Sequence, residues 1–362
     1  MKEAARAGDG IWRWSERYGE VPSESSRLSL GEGGTPLVRS RRIGPAAGMP
    51  ELWFKLESCN PSGSYKDRFA AAAVSWMRER GEELCLATSS GNSGAALAAA
   101  CAAAGLRCRI ALVETAPLGK LRQMQAYGAE LFRVRGFGVD AAITREVFAT
   151  LKRARGRRGS SLQVSAYALS PLGMRGVESL AWELESETED LWDAVFAPAG
   201  GGGLCLALAR GFATSGSATA VHCVQPEGND TIAGPLRRGE ERGRKLEGST
   251  TVVSGLQVPD LLDATSAVLA CRASGGSGHS VSDAEIFEAQ RRLAREEGVF
   301  CEPAGATALA GLLRALASGE IEPARRVACV VTGSGFKDET SLASLAGAQD
   351  AGLVEVEALD RW

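Results

Sequence analysis

Four short segments carry the side chains best suited to chemistry, and each follows an apolar run that reads as a strand. The first is NPSGSYKDR (60–68), where Lys66 stands just inside a predicted helix after a Pro/Ser/Gly turn. Beside Asp67 and Arg68 it can be a plain surface charge, and position alone favours that reading. If it is buried, its ammonium loses the support of water. The neutral amine then gains weight and can condense with an aldehyde. The second segment is ATSSGNSGAALA (87–98), in which Ser89, Ser90, Asn92 and Ser93 crowd the start of an Ala-rich helix. Hydroxyls and backbone N–H groups converging there suit an anion such as a carboxylate. An ordinary N-cap accounts for Ser90 or Asn92 alone, but not for the density of the run.

The third segment is PAGGGGLCLALA (198–209), where Gly200, Gly201, Gly202 and Gly203 precede Leu204 and an apolar helix. Successive glycines cost chain entropy. A backbone cradle for a phosphate at a helix N-terminus makes use of them, and a glycine-rich packing turn is the plainer alternative. Neither a Walker lysine motif nor a convincing GxGxxG fingerprint is present, which sets an NAD-dependent dehydrogenase aside. In the fourth segment, VVTGSGFKD (330–338), a strand ends in Thr332. Its hydroxyl can contact a ring nitrogen, or the stretch can be a simple strand-end turn.

Ligands of open α/β sheets gather at the carboxyl ends of strands, so the elements around these segments matter. Strands are predicted at 51–57, 83–88, 107–113, 130–135, 162–165, 193–197, 218–224 and 326–332. Helices are predicted at 64–80, 93–104, 117–127, 138–153, from 203 onward, 283–297 and 304–317. This alternation implies an α/β fold with mainly parallel sheets covered by helices on both faces. Residues 155–161 form a weak candidate boundary. The stretch 273–280, carrying GGSGH, reads as a flexible loop near the mouth of the site.

Composition narrows the function. The 362 residues are 44% hydrophobic and 23% charged, with 41 basic and 44 acidic side chains and a net charge of −3. No clustered positive charge suggests a nucleic-acid or membrane surface, and the charged stretch 236–245 reads as a solvated loop. Of nine cysteines no two form a CxxC pair. Cys85, Cys108, Cys223 and Cys329 fall in strand-like runs, as reduced, buried thiols of a cytoplasmic protein do. His222 and His279 are too few for a histidine-rich metal site, and neither sits in a nucleophile motif. The charged start lacks an apolar leader core, and the Ala-rich stretch 95–105 is too short to span a bilayer.

Taken in order, GEGGTPLV (31–38), the lysine segment, the SSGNSG loop, VRGFGVDAA (134–142), EEGVFCEPAGATALAGL (296–312) and the TGSGFKD turn resemble the fold-type II pyridoxal-phosphate enzymes. Threonine synthase looks like the nearest branch. The resemblance covers most of the chain and implies two α/β domains with the cofactor in the cleft between them. Residues 1–58 and 166–362 would form the larger, cofactor-binding domain, and 59–165 the smaller. It further implies that Lys66 holds pyridoxal 5'-phosphate as a Schiff base and, once freed, moves the substrate Cα proton. Asn92 would bond the cofactor's 3-hydroxyl oxygen. Gly200, Gly201, Gly202, Gly203 and Leu204 would hold its phosphate, and Thr332 would contact its ring nitrogen. Ser89, Ser90 and Ser93 would hold the carboxylate of a small amino-acid substrate. A neutral hydroxyl at the ring nitrogen favours elimination and replacement over transamination. A threonine synthase converts O-phosphohomoserine and water to threonine and phosphate.

Two departures from that branch are informative. Threonine synthases commonly carry a GNAGN phosphate loop, whereas GGGG looks more like the serine/threonine dehydratases. In SPLGMRGVESLAWE (170–183), Gly173 stands where an arginine usually grips the substrate phosphate. Arg175 could replace it only if the turn were reshaped. The alternative is therefore a dehydratase, or a β-replacement synthase acting on serine or a phosphorylated serine. A catalytically silent binding protein is disfavoured because Lys66 is present. The resemblance also implies a homodimer, and Trp12, Trp14 and Tyr18 could pack on a partner subunit.

Overall fold

The computed structural model describes residues 9–116, 118–323, 325–347 and 352–361. Residues 1–8, on which much of the leader-peptide reading rests, lie outside them. Ten strands alternate with helices among the described residues: β1 (Leu37–Arg39), β2 (Leu52–Leu56), β3 (Leu84–Ala87), β4 (Arg107–Leu112), β5 (Glu130–Arg133), β6 (Ser160–Gln163), β7 (Ala194–Pro198), β8 (Ala220–Pro226), β9 (Gly278–Val281) and β10 (Val327–Val331). They form a six-stranded sheet of order β1-β2-β10-β7-β8-β9 and a four-stranded sheet of order β5-β4-β3-β6. All pairings of these strands are parallel except β1 with β2. Strands β7 and β10 are buried along their whole length, as a sheet covered on both faces requires.

The covering helices are α1 (Ile43–Ala46), α2 (Lys66–Glu79), α3 (Asn92–Ala104), α4 (Leu118–Ala126), α5 (Ala141–Ala154), α6 (Pro171–Ser186), α7 (Gly203–Thr214), α8 (Ala233–Arg237), α9 (Ala264–Ala273), α10 (Asp283–Arg292), α11 (Pro303–Ala317) and α12 (Glu339–Ala346). Phe69, Val74 and Met77 of α2 share one apolar core with Cys85 of β3, Val177 and Leu180 of α6, and Val195 of β7. That core is continuous from the smaller sheet to the larger. Close approach of α6 to α2 depends on small residues. A Cβ built on Gly176 would lie 2.2 Å from the Arg68 carbonyl oxygen.

Several sequence expectations are corrected. Residues 273–280 are not a free loop: they lead into β9, and His279 is only 1% exposed. The glycines there permit close packing, since a Cβ on Gly276 or Gly278 would meet the carbonyl of Val221 or Ala233 at 2.0 Å. The long helix expected over 283–297 stops at Arg292 and continues as a π-turn, Leu293–Glu297, before Gly298 at φ +69°. The aromatic residues of the N-terminal segment pack on their own chain. Tyr18 and Trp14 sit 4.8 and 6.4 Å, ring to ring, from Trp182 of α6, and Trp12 Nε1 donates to the Leu28 carbonyl. Asp67 and Arg68, the two residues after Lys66, are buried.

Arg68 anchors a charged cluster beneath the start of α2. Its Nε and Nη2 donate to Glu57 Oε2 and Oε1 at 2.8 and 2.7 Å, and Nη2 lies 3.0 Å from Glu183 Oε2. Lys55 Nζ donates to Glu183 Oε1 at 2.6 Å, to Glu187 Oε1 at 2.7 Å and to the Thr35 carbonyl at 2.6 Å. The loop GEGGTPLV closes over this cluster: Gly33 takes φ +85°, and Thr35 N–H donates to Glu183 Oε1.

The two histidines form a buried pair that sets a pH limit on stability. His222 Nδ1 and His279 Nε2 are 2.9 Å apart, and their rings stack on Phe196 at 4.5 and 5.1 Å. Burial, then the neighbouring His279, pushes His222 down to about 3. Burial, then Arg237 and Arg314, pushes His279 down to about 4, although Glu320 Oε2 lies 3.4 Å from its Nδ1. Unfolded imidazoles titrate near about 6.5. The native pair therefore resists protonation, and its stabilising contribution is complete above that pH and declines as pH falls toward 4. By pH 5 the loss is expected to be about 2 kcal/mol per histidine. Thermal melting across pH 7 to 5 should show a steep fall that His222→Leu makes shallower. An unchanged slope would contradict the pairing.

Candidate functional site

All the segments singled out in the sequence emerge at carboxyl ends of strands. β2 runs through the turn Glu57–Cys59 toward Lys66, the first residue of α2. β3 leads to Asn92 and Ser93 at the start of α3, β7 to the glycine run before α7, and β10 directly to Thr332.

These groups meet around one amine. Lys66 Nζ donates to Ser165 Oγ at 2.8 Å, and Ser165 Oγ lies 2.8 Å from Ser93 Oγ. Ser165 also borders the glycine run, because a Cβ built on Gly203 would lie 3.5 Å from the Ser165 carbonyl oxygen and 3.3 Å from Asp263 Oδ2. Lys66 Nζ sits 4.5 Å over the Tyr65 ring, and Tyr65 N–H donates to the Thr332 carbonyl at 3.1 Å. Asn92 Nδ2 donates to Glu302 Oε1 at 2.6 Å. A Cβ on Gly333 would collide with that same carboxylate oxygen at 2.2 Å. Lys66, Asn92, Ser93, Gly203 and Thr332 therefore share one neighbourhood. Leu204 is buried, on the first turn of α7. Ser89 is engaged in its own loop, its Oγ accepting Gly91 N–H at 3.2 Å, and Ser90 is half-buried beside it.

Burial shifts the lysine as the chemistry requires. Desolvation lowers Lys66 to about 8, against the opposing pull of Asp263 and Glu302. Asp263 is itself raised, first by burial, although the Tyr167 and Ala168 N–H groups donate to it at 2.8 and 3.0 Å. A large share of the amine is thus neutral near pH 8.

An aldehyde-bearing pyridine phosphate fits these residues. Among the described residues no side chain caps α7, whose N-cap Gly202 is left-handed at φ +94°, so the first N–H groups of that helix are open to an anion. The start of α3 lacks a side-chain cap as well. In the loop before Lys66, Ser64 Oγ is buried without a hydrogen-bond partner among the described residues. The packing-turn reading of the glycines also holds in part. A Cβ on Gly202 would lie 2.9 Å from both Ala267 Cβ and Ile232 Cδ1. Gly202→Ala is expected to cost about 1–3 kcal/mol of stability and to release cofactor on dialysis. Melting temperature and visible absorbance measure both effects, and no change in either would contradict the role of this turn.

Two further positions bear on substrate. A Cβ on Gly173 would lie 2.8 Å from Phe69 Cε2 and 3.0 Å from Ala73 Cβ, so α2 fills the space an arginine would need. Arg175 sends its guanidinium to the N-terminal segment, where Nη2 lies 3.6 Å from a Cβ built on Gly19. The sequence reading missed Ser165, Asp263 and Glu302. Ser165 lies two residues beyond β6, a strand-end position like those singled out, and Glu302 belongs to the EPAGA segment already noted. Asp263 has no local signal.

A family profile described as pyridoxal-phosphate-dependent enzyme matches residues 28–333. Threonine synthase of Methanocaldococcus jannaschii is 34% identical over 337 residues, covering 91% of this chain and 81% of that protein. Threonine synthase of Halalkalibacterium halodurans is 32% identical, covering 92% and 91%. Among solved structures, a T.th. threonine deaminase superposes with a TM-score of 0.68 at 29% identity, covering 83% of this chain and 92% of that one.

Proposed function

Because the chain belongs to the pyridoxal-phosphate-dependent enzyme family, we propose that it performs elimination and replacement on a small amino acid, in the manner of its threonine synthase relatives. The observation that carries this reading is the meeting of Lys66 Nζ and the uncapped glycine turn on Ser165. Bound pyridoxal phosphate supplies a conjugated ring that takes up the electron pair left when the substrate Cα–H bond breaks.

The chain's own residues then have separable tasks. Lys66 Nζ anchors the cofactor and, when free, takes the Cα proton and returns it. Ser165, hydrogen-bonded in turn to Ser93, keeps that amine aimed. The open start of α3, with Ser89, Ser90 and Ser93, takes the substrate carboxylate. Gly200, Gly201, Gly202, Gly203 and Leu204 would hold the cofactor phosphate through backbone N–H groups. Asn92, held by Glu302, would serve its 3-hydroxyl oxygen, and Thr332 would offer a neutral hydroxyl to its ring nitrogen.

A dehydratase is the second reading, and one observation favours it. With Phe69 and Ala73 packed where an arginine side chain would start, position 173 offers no cation for a side-chain phosphate. Incubation with O-phosphohomoserine, serine and threonine distinguishes the two. Threonine with inorganic phosphate supports the first; ammonia with a 2-oxo acid supports the second. Neither product from any of the three would remove both.

The four-stranded sheet falls wholly within 59–165, which supports that stretch as the smaller domain with 1–58 and 166–362 as the larger. No helix among the described residues is long and apolar enough to cross a membrane. That is compatible with a cytoplasmic enzyme, and eight of the nine cysteines are buried free thiols. Family resemblance supports a homodimer, and sedimentation showing only monomer would remove it.

A further inference from the structure

Far from the lysine, three thiols converge inside the smaller sheet. The sulfurs of Cys85, Cys101 and Cys108 all lie within 4.8 Å of one another, and all three residues are buried. Cys85 on β3 and Cys108 on β4 are direct register partners, and Cys101, on the last full turn of α3, sits over them. Cys101 is nine residues along α3 from Asn92, roughly 13 Å at the helical rise, so the thiols lie at the end of the helix remote from the candidate site. The helix end beside them faces solvent. Ala102, Ala103 and Gly105 are exposed, and α3 ends there on a left-handed Gly105 at φ +68°. Fraying of that terminal turn would carry Cys101 outward and give solutes a route to the sulfurs.

Charge decides what such a site can hold. Thiolate sulfur selects soft ions, but a buried site penalises any net charge left behind. Zinc wants a fourth ligand, and among the described residues no other His, Cys, Asp or Glu joins this group. Three thiolates around a dication leave one negative charge in the core, and around a cuprous ion they leave two. Trivalent arsenic leaves none. Arsenous acid, As(OH)3, exchanges its three As–O bonds for three As–S bonds, and each hydroxide departs as water with one thiol proton. No electrons are transferred and no oxidant is needed.

We propose that Cys85, Cys101 and Cys108 form a three-sulfur site that captures arsenite as a neutral trithiolate. Once formed, the three As–S bonds tie β3, β4 and the end of α3 together.

The test uses the holoenzyme. After incubation with sodium arsenite and desalting, one arsenic per chain should remain by elemental mass spectrometry. X-ray absorption at the arsenic edge should show three sulfur neighbours. Cys101→Ala and Cys85→Ala, confirmed as folded by their melting curves, should retain at least tenfold less arsenic with product formation unchanged. If either alanine variant fails to fold, the serine variant at that position takes its place, and the edge spectrum of the native protein stands independently. No retained arsenic would overturn the proposal. So would equal retention by Cys101→Ala, which would place arsenic on other cysteines, or a spectrum with two sulfurs and an oxygen.

Discussion

Lys66→Ala is expected to lower turnover by about 10³-fold, within the range for losing a positioned proton-transfer group, and to abolish covalent retention of the cofactor. The substitution removes a partly buried amine from the first turn of α2, where alanine is a good helix former, so the fold should survive. Lys66→Arg separates the amine from its charge: the guanidinium remains protonated and does not condense with an aldehyde. It should be as inactive as the alanine variant. The lowered lysine adds a pH signature. Since only the neutral amine attacks, the rate at which cofactor-free protein takes up pyridoxal phosphate should climb through an inflection near the value of about 8 that burial imposes. Substantial activity in either variant, or an inflection near that of free lysine, would contradict the assignment.

The second large effect is on stability. Glu183 lies between Arg68 and Lys55, both fully buried, and Arg13 Nη2 reaches its Oε2 at 2.5 Å. Burial pushes its carboxyl up, but Arg68 and Lys55 outweigh that and hold it well below the usual range. Glu183→Gln keeps the volume and removes the charge, so that among the described residues Lys55 keeps only the partly exposed Glu187 as an anionic partner and Arg68 only Glu57. Breaking one partner of a buried cluster costs about 3–5 kcal/mol, so the melting temperature should fall by about 4–7 °C. The sign with pH follows. The carboxylate's contribution is present above about 4.3, the unfolded glutamate value, and is lost only as pH drops through its depressed native value. A melting temperature within 1 °C, about 1 kcal/mol or less on the same scale, would show that the cluster contributes little.

Much of this architecture is legible before any coordinates. Runs such as ELCLAT and RVACVVT are apolar on both faces, which reads directly as covered parallel strands, and β3 and β10 fall within them. The lysine, serine and glycine segments were recognisable because their residue types are costly or unusual at strand ends, and the structure gathers them. What escaped prediction depended on distant contacts. α6 buries Glu178, Glu183 and Ser179 beside its apolar residues, which blurs its amphipathic period. β1 has only three residues, too few to show alternation. The glycines of 273–280 look like flexibility in one dimension and are close-packing sites in three. Likewise, no local pattern distinguishes the buried Arg68 from an exposed one. Its burial is decided by Glu57 and Glu183, which lie 11 and 115 residues away.

The most direct measurement is reduction of the native, cofactor-loaded protein with borohydride, followed by proteolysis and mass spectrometry. The expected result is a yellow protein whose absorbance changes on reduction, with a pyridoxyl adduct on the peptide bearing Lys66 and nowhere else. A colourless protein, or an adduct on Lys337 or Lys55 with position 66 unmodified, would contradict the placement of the cofactor.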